Sequence, residues 1–261
     1  MRLAFVTEYN GTNFSGFQKQ KNAISVQEVI EDALKEITKE DISINYAGRT
    51  DAGVHALSQV FDFTTDIKRD HKNWIDGMNS NLPDSISIKS ISDVPNDFHS
   101  RFSALDRSYT YVVYNSKTKP LFFDNLVHWD DNLIEFSSIQ EQANMFLGSH
   151  DFTSFRSSRC SSNNPIKDIK SIEATKVNNF IFITIKANAF LHNMVRIISG
   201  TLIDIAKGEI NLSIDEILLK KNRAAAGKTA SSKGLFFLGP QYDSQFQIQS
   251  PTINIMDKFK S

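Results

Sequence analysis

The sequence predicts an α+β protein with two units that follow one another along the chain. Strand-like and helix-like segments alternate twice in a comparable order, which favours two α+β units over one doubly wound parallel sheet. No linker rich in Pro, Gly and Ser separates the halves, so we expect the two units to pack closely. The boundary is predicted near Arg101 to Arg107, which divides the chain into residues 1–103 and residues 104–261.

The first unit is predicted to open with a strand and a helix. Residues 2–7 alternate as a strand does, and the turn signal Asn10-Gly11 ends that strand. Ser25 and Glu28 form a capping-box pattern at the start of the helix. Its apolar face carries Val26, Val29, Ile30, Ala33, Leu34 and Ile37. Two strand-like segments then flank a glycine-bracketed loop, at 42–46 and 60–63.

The second unit is predicted to repeat this order. Residues 109–114 have the pattern of a strand with aromatic side chains on both faces. Ser138 is predicted to cap a helix that stops at Gly148. A strand and two more helices follow, at 180–185, at 191–205 with a stop at Gly208, and from Ser213 onward.

Composition indicates a soluble globular protein. The hydrophobic fraction is 40% and the charged fraction is 23%, and no window approaches the roughly 18 consecutive apolar residues of a membrane-spanning helix. The N-terminus lacks the long apolar core and the cleavage site of a signal peptide. The single cysteine, Cys160, excludes an intrachain disulfide and makes a cysteine-built zinc site improbable. We therefore expect a reducing, cytoplasmic setting.

Net charge gives no support for nucleic-acid binding. The formal net charge is −1, whereas proteins that bind nucleic acids usually carry a basic excess. One locally basic stretch contains Lys220, Lys221, Arg223, Lys228 and Lys233. That stretch could hold phosphates, and an ordinary solvated surface explains it equally well.

Several catalytic motifs are missing from the sequence. It has no Gly-rich phosphate loop ending in Lys-Ser/Thr and no Gly-x-Ser-x-Gly elbow. The six histidines show no paired metal-ligand spacing. We therefore expect no metal ion and no metal-dependent hydrolysis.

The loop at 48–53 differs from the other segments of the sequence, because two glycines bracket an arginine and a carboxylate. Glycines permit tight turns, and such a loop can fix Asp51 at a sheet edge while keeping it open to a ligand. Arg49 can contact a phosphate or fill the gap left by a displaced base. In the alternative interpretation, Asp51 only closes an Asx turn and pairs with Arg49.

This loop is one of five stretches that, in this order, resemble the TruA-type tRNA pseudouridine synthases. They are 9–18 (YNGTNFSGFQ), 48–56 (GRTDAGVHA), 107–111 (RSYTY), 150–155 (HDFTSF) and 190–196 (FLHNMVR), followed by Gly234-Leu235. Matches that extend over nearly the whole chain exclude a chance match to one short motif.

The resemblance implies a fold, an activity and partners. The fold is a pair of RRM-like (ferredoxin-like) subdomains whose antiparallel sheets join into one extended sheet around a central basic cleft. The first subdomain carries the catalytic loop and the second completes the cleft. The activity is isomerisation of uridine to pseudouridine at positions 38, 39 and 40 of the tRNA anticodon stem–loop, with base flipping and no cofactor. Members of this family are homodimers.

Five site residues are carried over from the resemblance. Asp51 is the catalytic carboxylate, and Arg49 enters the space that the flipped uridine vacates. Tyr109 stacks on the uracil, Arg196 lies beside the carboxylate, and Leu235 lies against the base. By their patterns alone Tyr109 and Leu235 would be ordinary strand core. An inward Arg196 needs a partner, and Asp51 would suit it, since an ion pair keeps a carboxylate ionised at neutral pH.

The segment before Leu235 departs from the family pattern. Relatives commonly have Ala-Pro shortly before Gly-Leu, whereas this chain has Ala230, Ser231, Ser232 and Lys233. Because proline is replaced, we expect a more flexible loop here.

One carboxylate can suffice for this isomerisation. A glycoside hydrolase needs two, one as acid and one to engage the sugar or activate water. In pseudouridine formation the leaving base is retained and returns as the nucleophile. The sequence leaves open whether Asp51 attacks the sugar, adds to the ring or removes a ribose proton.

The residues alone leave two other classes of function open. A non-catalytic RNA-binding module of the RRM kind would carry the Lys/Arg-Gly-Phe/Tyr platform pattern, which is not found. A small-molecule hydrolase that uses Asp51 would need a second acid, a set of metal ligands or a nucleophile elbow, and the sequence contains none of these in a recognisable motif.

Overall fold

In the computed structural model, residues 1–158, 160, 162–248 and 255–259 are described. They fall into two units: unit 1 comprises Met1–Arg107 and Phe237–Ser261, and unit 2 comprises Ser108–Phe236. Both units contain β-strands and α-helices, so the predicted α+β class is confirmed. In the described part of the chain, no helix combines the length and apolarity needed to cross a bilayer.

Unit 1 alternates strands and helices as predicted, and adds a second helix. Its elements are β1 (Arg2–Tyr9), α1 (Val26–Thr38), β2 (Asn45–Tyr46), β3 (His55–Thr64), α2 (His71–Asn81) and β4 (Ile86–Val94). Helix α2 was not predicted from the sequence.

Unit 2 contains most of the remaining elements. These are β5 (Asp106–Asn115), β6 (His128–Asp130), α3 (Phe136–Asn144), β7 (Gly148–Asp151), β8 (Ile166–Val177), β9 (Phe180–Ala187), α4 (Met194–Ala206) and α5 (Ile214–Lys220). Strand β10 (Leu235–Gln241) begins in unit 2, and the chain enters unit 1 at Phe237.

Strand β1 is the centre of unit 1 and is buried on both faces. It pairs antiparallel with β3 and with β4, and β10 lies next to β3. Successive side chains of a strand point to opposite faces. On one face Phe5 stacks on Phe61 at a centroid distance of 5.0 Å and meets the edge of Trp74, from α2, at 6.0 Å.

Residues that follow β10 pack on the opposite face of β1, which accounts for the return of the chain to unit 1. Ala4 and Val6 pack there in one buried cluster with Phe98. Tyr242 and Phe246, which follow β10, approach the Phe98 ring at 5.2 and 5.0 Å. The sequence predicted one division, with residues 104–261 in the second unit. The structure begins unit 2 at Ser108 and assigns Phe237–Ser261 to unit 1, and Tyr242, Phe246 and Ile248 of that segment pack against this apolar face.

The sheet of unit 2 has the order β5-β9-β8-β7. The β7–β8 and β8–β9 pairs are antiparallel, as expected. Strand β6 departs from that expectation, because it pairs parallel to β5, with Val113 opposite His128. Parallel neighbours need a long connection, and residues 116–127 provide one.

Helix α4 is the core of unit 2. It is apolar nearly all round and nearly all of it is buried, as is typical of an interior helix. Gly200 lets another segment approach closely, since a Cβ atom there would lie 2.0 Å from the Lys228 carbonyl oxygen.

Helix starts were predicted with mixed success. The Ser25 side chain accepts a hydrogen bond from the Glu28 N–H at 3.2 Å, and Ser213 forms a complete capping box at α5. The predicted cap at Ser138 is wrong. Helix α3 begins at Phe136, which places Ser138 inside it, and Gly148 opens β7 with a φ of +92°.

Candidate active site

The loop that carries Asp51 joins β2 to β3 in unit 1. Thr50 is buried, Asp51 is half-buried and Arg49 is exposed. The turn closes through main-chain atoms, because the Val54 N–H donates to the Asp51 carbonyl at 3.1 Å. Gly53 has a φ of +77°, a conformation that favours glycine. The loop therefore presents Arg49 and Asp51 to solvent from a turn of fixed geometry.

Thr50 anchors the loop immediately before Asp51. Its hydroxyl forms a buried hydrogen bond of 2.8 Å with the Tyr9 hydroxyl, and its carbonyl accepts from the Phe17 N–H at 3.0 Å. Burial raises the pKa of the Tyr9 phenol well above its ordinary value. Tyr9 therefore stays neutral and can serve this contact over the physiological pH range.

The start of the loop is held by two side chains. The Gln59 amide donates to the Gly48 carbonyl at 2.7 Å and accepts from the Gly48 N–H at 3.3 Å. The Arg107 guanidinium donates to the carbonyl of Ala47, the residue before Gly48, through Nε and Nη2, both at 3.2 Å. These contacts restrict the backbone that leads into Asp51.

Residues 10–17 pack directly against the loop. A Cβ atom on Gly11 would lie 1.9 Å from the Val54 carbonyl oxygen. Gly16 has a φ of +91°, and a Cβ atom there would lie 2.6 Å from the Thr50 carbonyl oxygen. The Gly53 N–H donates to the Phe14 carbonyl at 3.3 Å. Only glycine permits such close approach at Gly11 and Gly16.

This packing was missed by sequence reasoning, which interpreted Asn10-Gly11 only as a turn. Tyr9, Gly11, Gly16 and Gln59 support the loop and were not among the predicted site residues. The signal was present, since the stretches 9–18 and 48–56 were both singled out. The sequence does not show that these two stretches touch.

Tyr109 lies on β5 in unit 2 and is 8% exposed. Its ring meets the ring of Phe190 edge-on, with centroids 5.0 Å apart and an interplanar angle of 84°. This contact fixes the plane of the Tyr109 ring. A fixed ring can stack on a base at little conformational cost.

Arg196 lies in the first turn of α4 in unit 2. Its Nε atom donates to the Ala230 carbonyl at 2.8 Å, and its Nη1 atom donates to the Asn193 side-chain oxygen at 3.0 Å. The Ala230 N–H in turn donates to the Arg196 carbonyl at 3.1 Å. The guanidinium is thus oriented by several contacts within its own unit.

Leu235 is 5% exposed and follows a segment that is tightly held. The Tyr111 hydroxyl donates to the Ser231 carbonyl at 2.9 Å, and a Cβ atom on Gly234 would lie 2.5 Å from the Val112 carbonyl oxygen. Ala230, at the other end of this segment, is hydrogen-bonded to Arg196. The greater flexibility expected from the missing proline stays a prediction.

The basic stretch of unit 2 is partly neutralised by carboxylates. Three of its four lysines form ion pairs with acidic residues elsewhere in the unit: Lys221 with Asp151 at 3.0 Å, Lys228 with Glu209 at 3.8 Å and Lys233 with Asp124 at 3.4 Å. The positive charge available for phosphates is therefore smaller than the sequence suggested.

Among the described residues, no group of three or more His, Cys, Asp and Glu side chains is placed to hold a metal ion.

Comparison with known proteins gives a consistent result. The family described as tRNA pseudouridine synthase matches residues 5–103 and 142–243, which include Asp51, Arg196 and Leu235, whereas Tyr109 falls between the matched ranges. The proteins called tRNA pseudouridine synthase A from Hydrogenovibrio crunogenus and Shewanella woodyi are similar to this chain. The first is 39% identical over 94% of this chain and 94% of its own length, and the second is 41% identical over 95% of each.

One solved structure is only distantly similar. It is titled "Crystal Structure of a Cbf5-Nop10-Gar1 Complex" and matches with a TM-score of 0.36 and 9% identity, over 90% of this chain and 49% of that one. A similarity this low carries no argument about the fold.

Proposed function

The chain belongs to the tRNA pseudouridine synthase family, and we propose that it converts uridine to pseudouridine in the anticodon stem–loop of tRNA, at positions 38, 39 and 40. The chemistry breaks the bond between ribose C1′ and uracil N1 and forms a bond between C1′ and uracil C5. The proton on C5 is lost and N1 gains one, so no water enters the product. The enzyme is an isomerase.

We assign the catalytic role to Asp51. The observation that carries this assignment is a half-buried carboxylate on a loop clamped from several sides by Tyr9, Phe17 and Gln59. Attack on the sugar, addition to the ring and removal of a ribose proton each require an ionised carboxylate at a fixed position. The clamped loop supports that requirement, because pre-organised geometry supplies much of an enzyme's rate enhancement.

Base flipping is the costly step before the chemistry. A uridine in a stem is paired or stacked, and extruding it costs a few kcal/mol. We propose that Arg49, exposed and close to Asp51 in sequence, enters the vacated space. Its guanidinium plane can stack on neighbouring bases and hydrogen-bond to phosphate.

The remaining proposed contacts come from unit 2. Tyr109 stacks on the extruded uracil, and a stack of this kind contributes about 1–3 kcal/mol, enough to offset much of the flipping cost. Leu235 supplies an apolar surface for the base, and Arg196 supplies a fixed cation for the substrate. The ring contact with Phe190 supports the role of Tyr109, and the hydrogen bond to the Ala230 carbonyl supports the role of Arg196.

We further propose that the protein acts as a homodimer in the cytoplasm, where tRNA is abundant. No cofactor or metal ion is needed for the proposed chemistry. Light scattering coupled to size-exclusion chromatography would measure the oligomeric state, and a mass of one chain would contradict the dimer.

The proposed function is tested with tRNA that carries tritium on uracil C5. Because the C5 proton is lost when C1′ bonds to C5, the wild-type protein should release tritium to solvent. Replacing U38, U39 and U40 with cytidine should abolish release. Release that persists from such a tRNA would contradict the proposed positions, and no release from any tRNA would contradict the proposed activity.

A further inference from the structure

A turn in unit 1 displays an aromatic ring to solvent. Phe102 is 74% exposed, whereas Phe98, four residues earlier, is fully buried. Exposing a phenylalanine ring to this extent gives up the free energy of burying it. The ring is therefore open to contact with a ligand, and its polar neighbours decide which kind of ligand suits it.

The turn is rigid because its polar groups bond to one another. The Ser103 N–H donates to the His99 carbonyl at 2.9 Å, and the His99 N–H donates to the Ser103 hydroxyl at 3.1 Å. The Arg101 N–H donates to His99 Nδ1 at 3.1 Å. These bonds fix the direction in which the Phe102 ring projects.

The turn is also fastened to the core of unit 1. Ser100 is fully buried; its N–H donates to the Asp62 carboxylate at 2.7 Å, and its carbonyl accepts from the Tyr242 hydroxyl at 2.6 Å. A ligand that binds Phe102 therefore meets a pre-organised ring, which lowers the entropy lost on binding.

The immediate surroundings of the ring are a guanidinium and an imidazole. The Arg101 Cζ atom lies 5.4 Å from the centroid of the Phe102 ring, and the His99 ring lies 4.4 Å from it. An aromatic face beside an arginine suits a nucleobase next to its phosphate. A purely apolar partner would offer no counter-charge to the Arg101 guanidinium.

One side chain links this turn to the Asp51 loop. The Arg107 guanidinium donates to the Arg101 carbonyl and to the Ala47 carbonyl, and Ala47 directly precedes the loop. The exposed ring and the proposed catalytic loop are thus parts of one hydrogen-bonded frame in unit 1. A single RNA molecule that engages the loop is the natural occupant of the turn.

We propose that Phe102 and Arg101 form a second RNA-contacting surface, outside the nucleotide that is isomerised. Phe102 stacks on an unpaired base of the tRNA, and Arg101 binds an adjacent phosphate. This inference rests on the proposed function, because it takes tRNA as the ligand.

Equilibrium binding of unmodified tRNA to the full chain tests the surface. Phe102→Ala and Phe102→Leu should each raise Kd by about 5- to 100-fold, since both remove the aromatic face. Phe102→Tyr, which keeps that face, should stay within about twofold of wild type. Phe122→Ala is the matched control, because Phe122 is 90% exposed in unit 2.

Arg101→Gln tests the phosphate contact separately. Loss of one contact to single-stranded RNA should reduce the slope of log Kd against log salt concentration by about 0.7. Lys72→Gln is the control, because Lys72 is an exposed cation of α2 paired with Asp76.

Several results would overturn the proposal. A Kd for Phe102→Ala equal to that of Phe122→Ala would do so, and so would equal Kd values for Phe102→Leu and Phe102→Tyr. A change in oligomeric mass without a change in Kd would assign the surface to a protein partner. If the wild type binds tRNA but releases no tritium, the proposed activity fails, and the comparison among the Phe102 variants still decides this surface.

Discussion

The hydroxyl groups of Tyr9 and Thr50 lie 2.8 Å apart in a buried hydrogen bond that joins the end of β1 to the residue before Asp51. Tyr9 is only 3% exposed, and its ring packs on Phe17 at 6.0 Å. The aromatic ring belongs to the core of unit 1, while its hydroxyl reaches the loop. Loop position and core packing are therefore coupled through one side chain.

Tyr9→Phe tests that coupling. The ring remains, but the Thr50 hydroxyl loses its partner, so the free energy of unfolding should fall by about 1–3 kcal/mol. We expect kcat for tritium release to fall by about 10- to 100-fold, because small displacements of a catalytic group are costly. The Kd for tRNA should change little. Tyr114→Phe, which alters an exposed hydroxyl in unit 2, is the control, and an equal kcat in both variants would contradict a positioning role for Tyr9.

Gly11→Ala tests the close approach of residues 10–17 to the Asp51 loop. The new Cβ atom would overlap the Val54 carbonyl oxygen, so unfolding free energy should fall by about 3 kcal/mol or more. Gly77→Ala is the control, since a Cβ atom at Gly77 in α2 meets its nearest neighbour at 3.5 Å. That helical substitution should raise stability by up to about 1 kcal/mol. Denaturant unfolding measures both, and a stable Gly11→Ala variant would show that the loop can move away.

Tyr109→Phe and Tyr109→Ala separate stacking from hydrogen bonding. Phenylalanine keeps the ring that Phe190 orients, whereas alanine removes it. We expect Tyr109→Phe to retain more tritium-release activity than Tyr109→Ala, because base stacking contributes about 1–3 kcal/mol. Equal losses in the two variants would contradict stacking as the main role of Tyr109.

The lowered pKa of His128 predicts that the protein loses stability in mild acid. Burial lowers the pKa of His128, with the nearby Asp130 opposing that shift. The unfolded chain then binds a proton more readily than the folded chain, so this contribution to stability is present above about pH 6.5 and is lost as pH falls below it. The difference in Tm between pH 7.5 and pH 5.5 should be smaller in His128→Gln than in wild type. An unchanged difference would contradict the assignment.

Local signals in the sequence predicted some elements well and others poorly. Ser25 and Ser213 cap their helices because the capping pattern and the apolar periodicity agree there. The capping pattern at Ser138 does not mark the start of a helix, since α3 begins earlier, at Phe136. Helix α2 was missed because only Trp74 and Met78 on it are buried, which leaves a weak periodic signal.

The site shows a similar division. The bracketing glycines made Asp51 conspicuous, and the family resemblance supplied the other four predicted site residues. The contacts that hold the loop, from Tyr9, Gly11 and Gln59, join segments far apart in the chain. Local sequence patterns do not show which distant segments touch, so these contacts are seen only in the fold.

The most direct test of the account is tritium release by Asp51→Asn, assayed with a metal chelator present throughout. The variant keeps the size of the side chain and removes its charge, so its Tm and its Kd for tRNA should stay close to those of wild type. Asp66→Asn, in an exposed position of unit 1, is the control. We predict undiminished release by wild type and Asp66→Asn and none above background by Asp51→Asn, whereas release by Asp51→Asn at the wild-type rate would contradict the central claim.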